Sequence, residues 1–425
     1  MLEYASYALV LFALGAYLLL DGYDLGIGIL SLFDRSDRRR TEYNELIATA
    51  WDANESWIIL AAVVLWAGLP GVYATVLPGI YLPLVVMLLA IVLRGSAIEI
   101  QSSAPGYRRG WGLVFGLSSL VAALCQGLVI GAVLSGLPHS GGVFTGGSFD
   151  WLTPYSALSA LGLTTVYLLA GAAWLQNKTV GTAHHRAGRL GRPLLLAVAA
   201  ASVILGLGLP LADPQLFRFD QPLRATLFGL AVATAVVCWA IAWYGFGRRP
   251  DWRPFAAVAG AEAAGLLALV AATAPVVVPP DLTVHVAASP QGSQLFLLIG
   301  VGGCIPIVLA YNIYAWWVFR RKVTQPPART DASGPFDTTA ATKQTAPVSQ
   351  ALGDYPRAVV VARRVLLTLL AVAVAAVSQD VFGGVGTWIG PTGIVVCSAT
   401  ALAAWIRSDR RAAAAGEFDL RTAEK

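Results

Sequence analysis

Two pairs of acids stand in apolar surroundings near the start of this 425-residue chain. Asp21 and Asp24 lie within LFALGAYLLLDGYDLGIGILSLF, and Asp52 and Glu55 within WDANESW. Each pair is spaced i, i+3, which puts both carboxyls on one face of a helix. A charge at mid-bilayer costs roughly 2.5–3.5 kcal/mol on insertion scales. Four so close together point to protons, cations or polar partners handled inside a membrane. Glu99 is a fifth acid of this region, and Arg94 is the one basic group at a depth to pair with any of them. Buried ion pairs and hydrogen bonds that tie helices together explain Arg94 with one acid. They do not explain five acids against one arginine. The surplus carboxyls must be protonated, hydrated or paired with another subunit, and a carboxyl in that state can pass a proton on. Glu262 stands alone and reads as a satisfied polar contact.

The elements that must position these groups are membrane helices. The chain is 57% hydrophobic and 12% charged, which excludes a soluble globular domain. Eleven apolar runs are long enough to cross a core of about 30 Å. They lie near residues 6–32, 46–69, 76–98, 111–136, 153–175, 193–212, 224–246, 254–275, 293–319, 358–378 and 386–406. MLEY carries no basic n-region, so the first run is expected to be a retained span. Of the 29 Lys and Arg, all but Arg218 and Arg224 fall on the side opposite the N-terminus. The positive-inside rule then predicts an outside N-terminus and a cytoplasmic C-terminus. The net charge of +5 is a topology signal and no nucleic-acid surface. This alternation places Asp21 near the middle of the first span and Asp24 deeper. It places Asp52 and Glu55 two to three turns into the second span, and all of them in the cytoplasmic half.

Residues 1–322 read as a dense membrane body and 323–356, rich in Pro, Thr, Ala and Ser, as a flexible cytoplasmic linker. Residues 357–425 add two spans and a short tail. The Gly-rich loop 137–152 reads as a plain turn. Cys125, Cys238, Cys304 and Cys397 are isolated in apolar runs, so neither a disulfide framework nor a metal site is expected. His139, His184, His185 and His285 all fall in loops by this topology, and the methionines are Met1 and Met87. A buried haem needs His or Met ligands within the bundle, so another polypeptide is expected to hold any haem. Trp51, Trp57, Trp111, Trp151, Trp174, Trp252 and Trp316-Trp317 sit mostly near span ends, as an interfacial belt does.

Six ordered motifs resemble subunit II of the cytochrome bd-type quinol oxidases. They are LDGYDLGIG around Asp21–Gly28, WDANESW at Trp51–Trp57, LRGSAIE at Leu93–Glu99, CQGLVIGA with Gln126, Gly127 and Gly131, FDWLTPYS at Phe149–Ser156, and the following AGAAWLQNKTVG. The ninth run is similar to the family's closing helix. FDWLTP and WLxxKTxG are most similar to the cyanide-insensitive branch. The likeness covers roughly residues 3–323.

The resemblance implies an all-α polytopic membrane protein: a nine-helix body of two four-helix bundles plus a peripheral helix, here with two extra C-terminal transmembrane helices. It implies a bacterial plasma (inner) membrane complex with a subunit I that holds two b haems and one d haem, oxidises quinol and reduces dioxygen. Membrane lipids and a small accessory subunit are further partners it allows. Asp52 matches the carboxylate of the family's W-[DE]-x-N motif and Asp24 the second acid of DGxD, with Glu55 and Glu99 beside them on the expected proton pathway. Asp21, Trp51, Asn54, Trp57, Arg94 and Gln126 are expected as structural intramembrane positions. No catalytic, cofactor-binding or metal residue is expected in this chain itself. The Gln101-Ser102 region replaces an arginine usual shortly after the Glu99 position, so one family ion pair is expected to be absent. Other readings of the acids are a cation-coupled secondary transporter, for which no inverted repeat is visible, and a haem-free assembly scaffold.

Overall fold

A computed structural model describes residues 1–318 apart from 35, 49, 104–107, 213–218, 220 and 248–251. The expected linker 323–356 and the two C-terminal spans lie outside the described residues. Twelve helices and two short hairpins make up the described part. The helices are α1 Leu2–Leu32, α2 Asp37–Ile47, α3 Trp51–Gly68, α4 Pro70–Gly79, α5 Tyr81–Ser103, α6 Arg108–Leu134, α7 Pro154–Lys178, α8 Thr182–Ala212, α9 Pro222–Gly245, α10 Arg253–Thr273, α11 Val284–Ala287 and α12 Gln291–Val318. Among the described residues, eight helices are long and apolar enough to cross a membrane. The shorter α3 is not one of them, because Asp52, Asn54 and Glu55 load its first turns.

The grouping follows the expected all-α plan. α1, α3, α5 and α6 pack together, α7 to α10 form a second group, and α12 lies against α1 and α3. α1 is the common axle, in contact with α3, α6 and α7. Between helices in lipid there is little hydrophobic drive, so close approach of small residues holds them. Gly26 and Gly171 show it: a Cβ on Gly26 would run into the Tyr167 carbonyl, and one on Gly171 would lie 2.6 Å from the Gly26 carbonyl carbon. Gly127 and Gly131 press α6 onto Ala160 and Ser156 of α7 in the same way. Exposed Val203, Leu207, Leu227, Leu230 and Val237 leave apolar faces on α8 and α9, as helices solvated by acyl chains do.

Several expectations need correcting. The second span begins at Trp51 rather than near Leu46, because SDRRRTEYNELI forms a separate polar helix that buries only one side, with Tyr43 and Ile47. Asp52 therefore stands in the first turn of α3, not two to three turns in. α4 inserts before the third span, opened by Pro70, whose missing N–H is harmless at a helix start. The ladder of α8 runs back past its apolar core to Thr182, so His184 and His185 are helical rather than in a loop, and His285 sits in α11. The loop 137–152 contains a hairpin, β1 His139–Ser140 and β2 Val143–Phe144, turned by Gly141 and Gly142 at φ 58° and 76°. A second hairpin joins β3 Val276–Val278 to β4 Leu282–Thr283. His139 Nε2 lies 2.9 Å from Asp281 Oδ1, which ties the two hairpin regions together.

At the basic end, Asp34 fastens α1 to α2 and α8. Arg39 donates to it from Nε and Nη2, each at 2.6 Å, Arg186 Nη1 lies 3.4 Å away, and the Ser36 N–H donates at 3.0 Å. Burial pushes the carboxyl up, but the Arg39 hydrogen bonds, the Ser36 N–H and the charges of Arg39 and Arg186 outweigh it and hold Asp34 below the ordinary carboxylate range. A depressed acid stabilises the fold above its unfolded value and loses that contribution as pH falls through the folded value. The melting gap between wild type and Asp34→Asn should thus be steady from pH 8 to 5 and close below about pH 4. A gap that persists unchanged to pH 2 would show that the carboxylate charge is not what binds these helices.

Candidate functional site

α1, α3 and α5 bring their polar residues to one buried place. Arg94 of α5 is wholly buried, and its Nη2 lies 2.6 Å from Asp21 Oδ1 of α1 and 3.0 Å from Glu55 Oε2 of α3. Asn54, one residue before Glu55, donates from Nδ2 to Asp24 Oδ2 at 2.8 Å and to the Tyr23 hydroxyl at 2.9 Å. The helical repeat accounts for the pattern: Asp21 and Asp24 share the α1 face that meets α3 and α5, and Asn54 and Glu55 stand side by side on α3. Trp51 positions the start of α3 by lying against Gly95, where a Cβ would meet its ring at 2.8 Å. Trp57 is buried and meets Phe12 edge-on at 5.7 Å.

Exposure falls stepwise across the acids. Asp52 is exposed, the Glu55 side chain is 17% exposed, and Asp21 and Asp24 are fully buried. Glu99, also exposed, follows Arg94 on α5 at the same end of the bundle. The structure thus joins Asp21, Glu55 and Arg94, holds Asp24 on Asn54 beside Glu55, and leaves Asp52 and Glu99 exposed. Asp21 Oδ2, Asp24 Oδ1, Arg94 Nε and Arg94 Nη1 have no hydrogen-bond partner among the described residues. The cluster therefore retains buried donors and acceptors of both kinds.

Gln126, expected as a structural intramembrane position, forms a neighbouring polar link whose tyrosine partners were not expected. Gln126 of α6 donates from Nε2 to the Tyr17 hydroxyl at 2.6 Å and accepts at Oε1 from the Tyr167 hydroxyl at 2.6 Å. Tyr17 precedes Asp21 by four residues, so it stands one turn away on the same face of α1; that spacing was the available signal. Glu262 of α10 was expected as a satisfied contact, yet its Oε1 is buried with no hydrogen-bond partner among the described residues. Gln101, at the family's arginine departure, is buried next to Gly112 of α6. Other resemblance-bearing motifs are structural in place. Gln176 donates to the Gly245 carbonyl and accepts from the Gly247 N–H, closing α7 onto the end of α9. Thr153 and Ser156 form a reciprocal capping box at the start of α7. Among the described residues no three His, Cys, Asp or Glu converge as a metal-ion site.

The chain is similar to known proteins. Cytochrome bd ubiquinol oxidase subunit 2 of Bacillus subtilis (strain 168) is 25% identical over 323 residues, which is 72% of this chain and 93% of that protein. Cytochrome bd-I ubiquinol oxidase subunit 2 of Escherichia coli (strain K12) is 32% identical over 176 residues, 39% of this chain and 46% of that protein. A chain in the structure of bd oxidase from Geobacillus thermodenitrificans has the same fold, with a TM-score of 0.63 at 15% identity, over 76% of this chain and 99% of that one. The family profile for cytochrome bd terminal oxidase subunit II runs from residue 2 to residue 319, through every helix that builds the acid cluster. With eight helices among its described residues long and apolar enough to cross a membrane, the chain belongs to the cytochrome bd terminal oxidase subunit II family, a component of a respiratory oxidase in the bacterial membrane.

Proposed function

We propose that this chain is the non-haem subunit of a quinol:O2 oxidoreductase, that it stabilises subunit I, and that its acids conduct protons from the cytoplasm towards that subunit. The observation that carries the reading is the graded burial from exposed Asp52, through Glu55, to Asp21 and Asp24. Oxygen reduction consumes protons at a buried site, and protons cross a low-dielectric interior by hops between hydrogen-bonded groups. Arg94 supplies one positive charge to three neighbouring acids, so it fixes their positions without neutralising the set. Asn54 holds Asp24 in place as an uncharged donor. Asp52 collects protons, Glu55 and Asp24 relay them, and Glu99 adds a second exposed carboxyl beside the opening. This reading assigns no haem to this chain: among the described residues the histidines stand in β1, in the first turn of α8 and in α11, and Met87 packs with Leu25, Ile91 and Ala122. The two b haems, the d haem and quinol binding belong to subunit I in this reading.

Asp52→Asn keeps the size and hydrogen bonding of the side chain and removes the exchangeable acid. Quinol oxidase turnover of the purified complex should fall by about tenfold or more, equivalent to about 1.4 kcal/mol of barrier, with haem content intact. If Asp52 only docks the subunits, turnover and haem content fall together. Normal turnover in an intact Asp52→Asn complex would defeat both versions.

The N-terminus is proposed outside and the linker 323–356 inside, with residues 357–425 adding two spans beyond the subunit II body. Cysteines placed at positions 140, 285 and 335 test this with an impermeant reagent on intact cells. Labelling is expected at 140 and 285. Labelling at 335 but not at the other two would invert the topology.

A further inference from the structure

Away from the acid cluster, α2, α8 and the turn after α9 surround a cavity of about 540 Å³. It is lined by Arg39, His184, His185, Arg186, Arg189 and Gly247. The positive-inside rule accounts for basic residues at this end of the helices. It does not account for their convergence, from separate segments, around one concavity. Asp34 lies among them, but its charge is taken up by the paired hydrogen bonds from Arg39. Among the described residues here, three guanidiniums face one carboxylate, a surplus of two positive charges: Arg186 shares Asp34 with Arg39, and Arg189 has no acidic partner. Arg186 is half exposed and touches Asp34 through Nη1 at a long 3.4 Å. Arg189 is exposed and, among the described residues, donates only from Nε, to the His185 carbonyl of its own helix at 3.4 Å. Both keep guanidinium N–H groups for a ligand.

The depth of the cavity says what that ligand is. α7 ends at Lys178, α8 begins at Thr182 and α9 ends at Gly245, so the cavity lies where several spans leave the apolar zone. Two cation–aromatic pairs mark the same level: Lys178 over Trp174 at 4.9 Å and Arg192 over Trp243 at 5.7 Å. Trp and basic side chains gather at the headgroup layer. A guanidinium fork matches phosphate oxygens two at a time, and basic pockets between membrane helices suit anionic headgroups. We propose that this cavity binds a phosphate group, supplied by an anionic phospholipid of the surrounding leaflet.

The test uses the complex with subunit I in nanodiscs of phosphatidylglycerol and phosphatidylcholine, followed by native mass spectrometry of retained lipid. One phosphatidylglycerol should be retained at least about tenfold over phosphatidylcholine. Arg189→Gln, which breaks only a bond within its own helix, should cut that retention about tenfold, and Arg186→Gln/Arg189→Gln should abolish it. Arg192→Gln, outside the cavity, should leave it unchanged. Inorganic phosphate is the competing source. Displacement of the lipid by phosphate at low millimolar concentration, with phosphate binding lost in Arg189→Gln, would assign the site to a soluble ligand and overturn the lipid. Equal retention by wild type and Arg189→Gln would overturn the site itself, whether or not the double variant folds.

Discussion

Arg94→Met is expected to lower the stability of the chain by about 3–5 kcal/mol, the usual effect of removing one partner from a buried ion pair. Met fills much of the space of the arginine stem, so the loss is electrostatic rather than a cavity. It leaves Asp21 wholly buried without its cation and takes from Glu55 its contact with the Arg94 guanidinium. The measurement is thermal melting of the detergent-purified complex. A second variant separates charge from packing: Arg94→Met/Asp21→Asn removes both charges of the tighter pair and should regain a large part of the loss. If Arg94→Met melts with wild type, the cluster does not hold α1, α3 and α5 together. If the double variant is no better than the single, Asp21 is not the partner that matters.

Gly26→Ala should cost roughly 2–3 kcal/mol, towards the upper end for forcing a methyl into a packed interior. The obstacle is the Tyr167 carbonyl on the α7 backbone, which cannot rotate away as a side chain would. α1 and α7 must separate, and α1 also carries Asp21 and Asp24, so the displacement reaches the acid cluster. Gly229→Ala in α9 is the comparison, because its added Cβ meets nothing within 4 Å. There the exchange should be neutral or favourable by up to about 1 kcal/mol, through helix propensity alone. Equal melting temperatures for the two variants would mean that the α1–α7 crossing is looser than the structure has it.

Much of the acid cluster was legible because chemistry and periodicity agree there. The i, i+3 acids and a single arginine at matching depth suffice to pair Arg94 with an acid. The start of the second span was not legible. LIATAWDANE has no Gly or Pro to punctuate it, and apolar Leu46 and Ile47 belong to the end of a polar helix. That one misplaced boundary is why Asp52 stands a turn or more nearer the helix end than expected. The β1–β2 hairpin was readable, since adjacent glycines between strand formers suit a turn with two positive φ angles. The Tyr17–Gln126–Tyr167 link was harder, because tyrosine in a membrane helix gives no sign of which helix its hydroxyl will face. The α8 start misled for another reason: hydropathy marks the apolar part of a helix, whereas backbone hydrogen bonds continue into the charged residues beyond it.

The cluster also bears on how the chain is made. Asp24 and Asn54 are 30 residues apart, and Glu55 and Arg94 are 39 apart. At roughly 5–20 residues per second, Arg94 leaves the ribosome about 2–8 seconds after Glu55. During that interval α1 and α3 have emerged with their acids, but their cation does not yet exist. A lone acidic helix is a poor substrate for lateral release into lipid. Releasing α1 before α5 is made costs the transfer of its acids without their cation, roughly 2.5–3.5 kcal/mol for each charge, and entry of the three spans as one cohort avoids that cost.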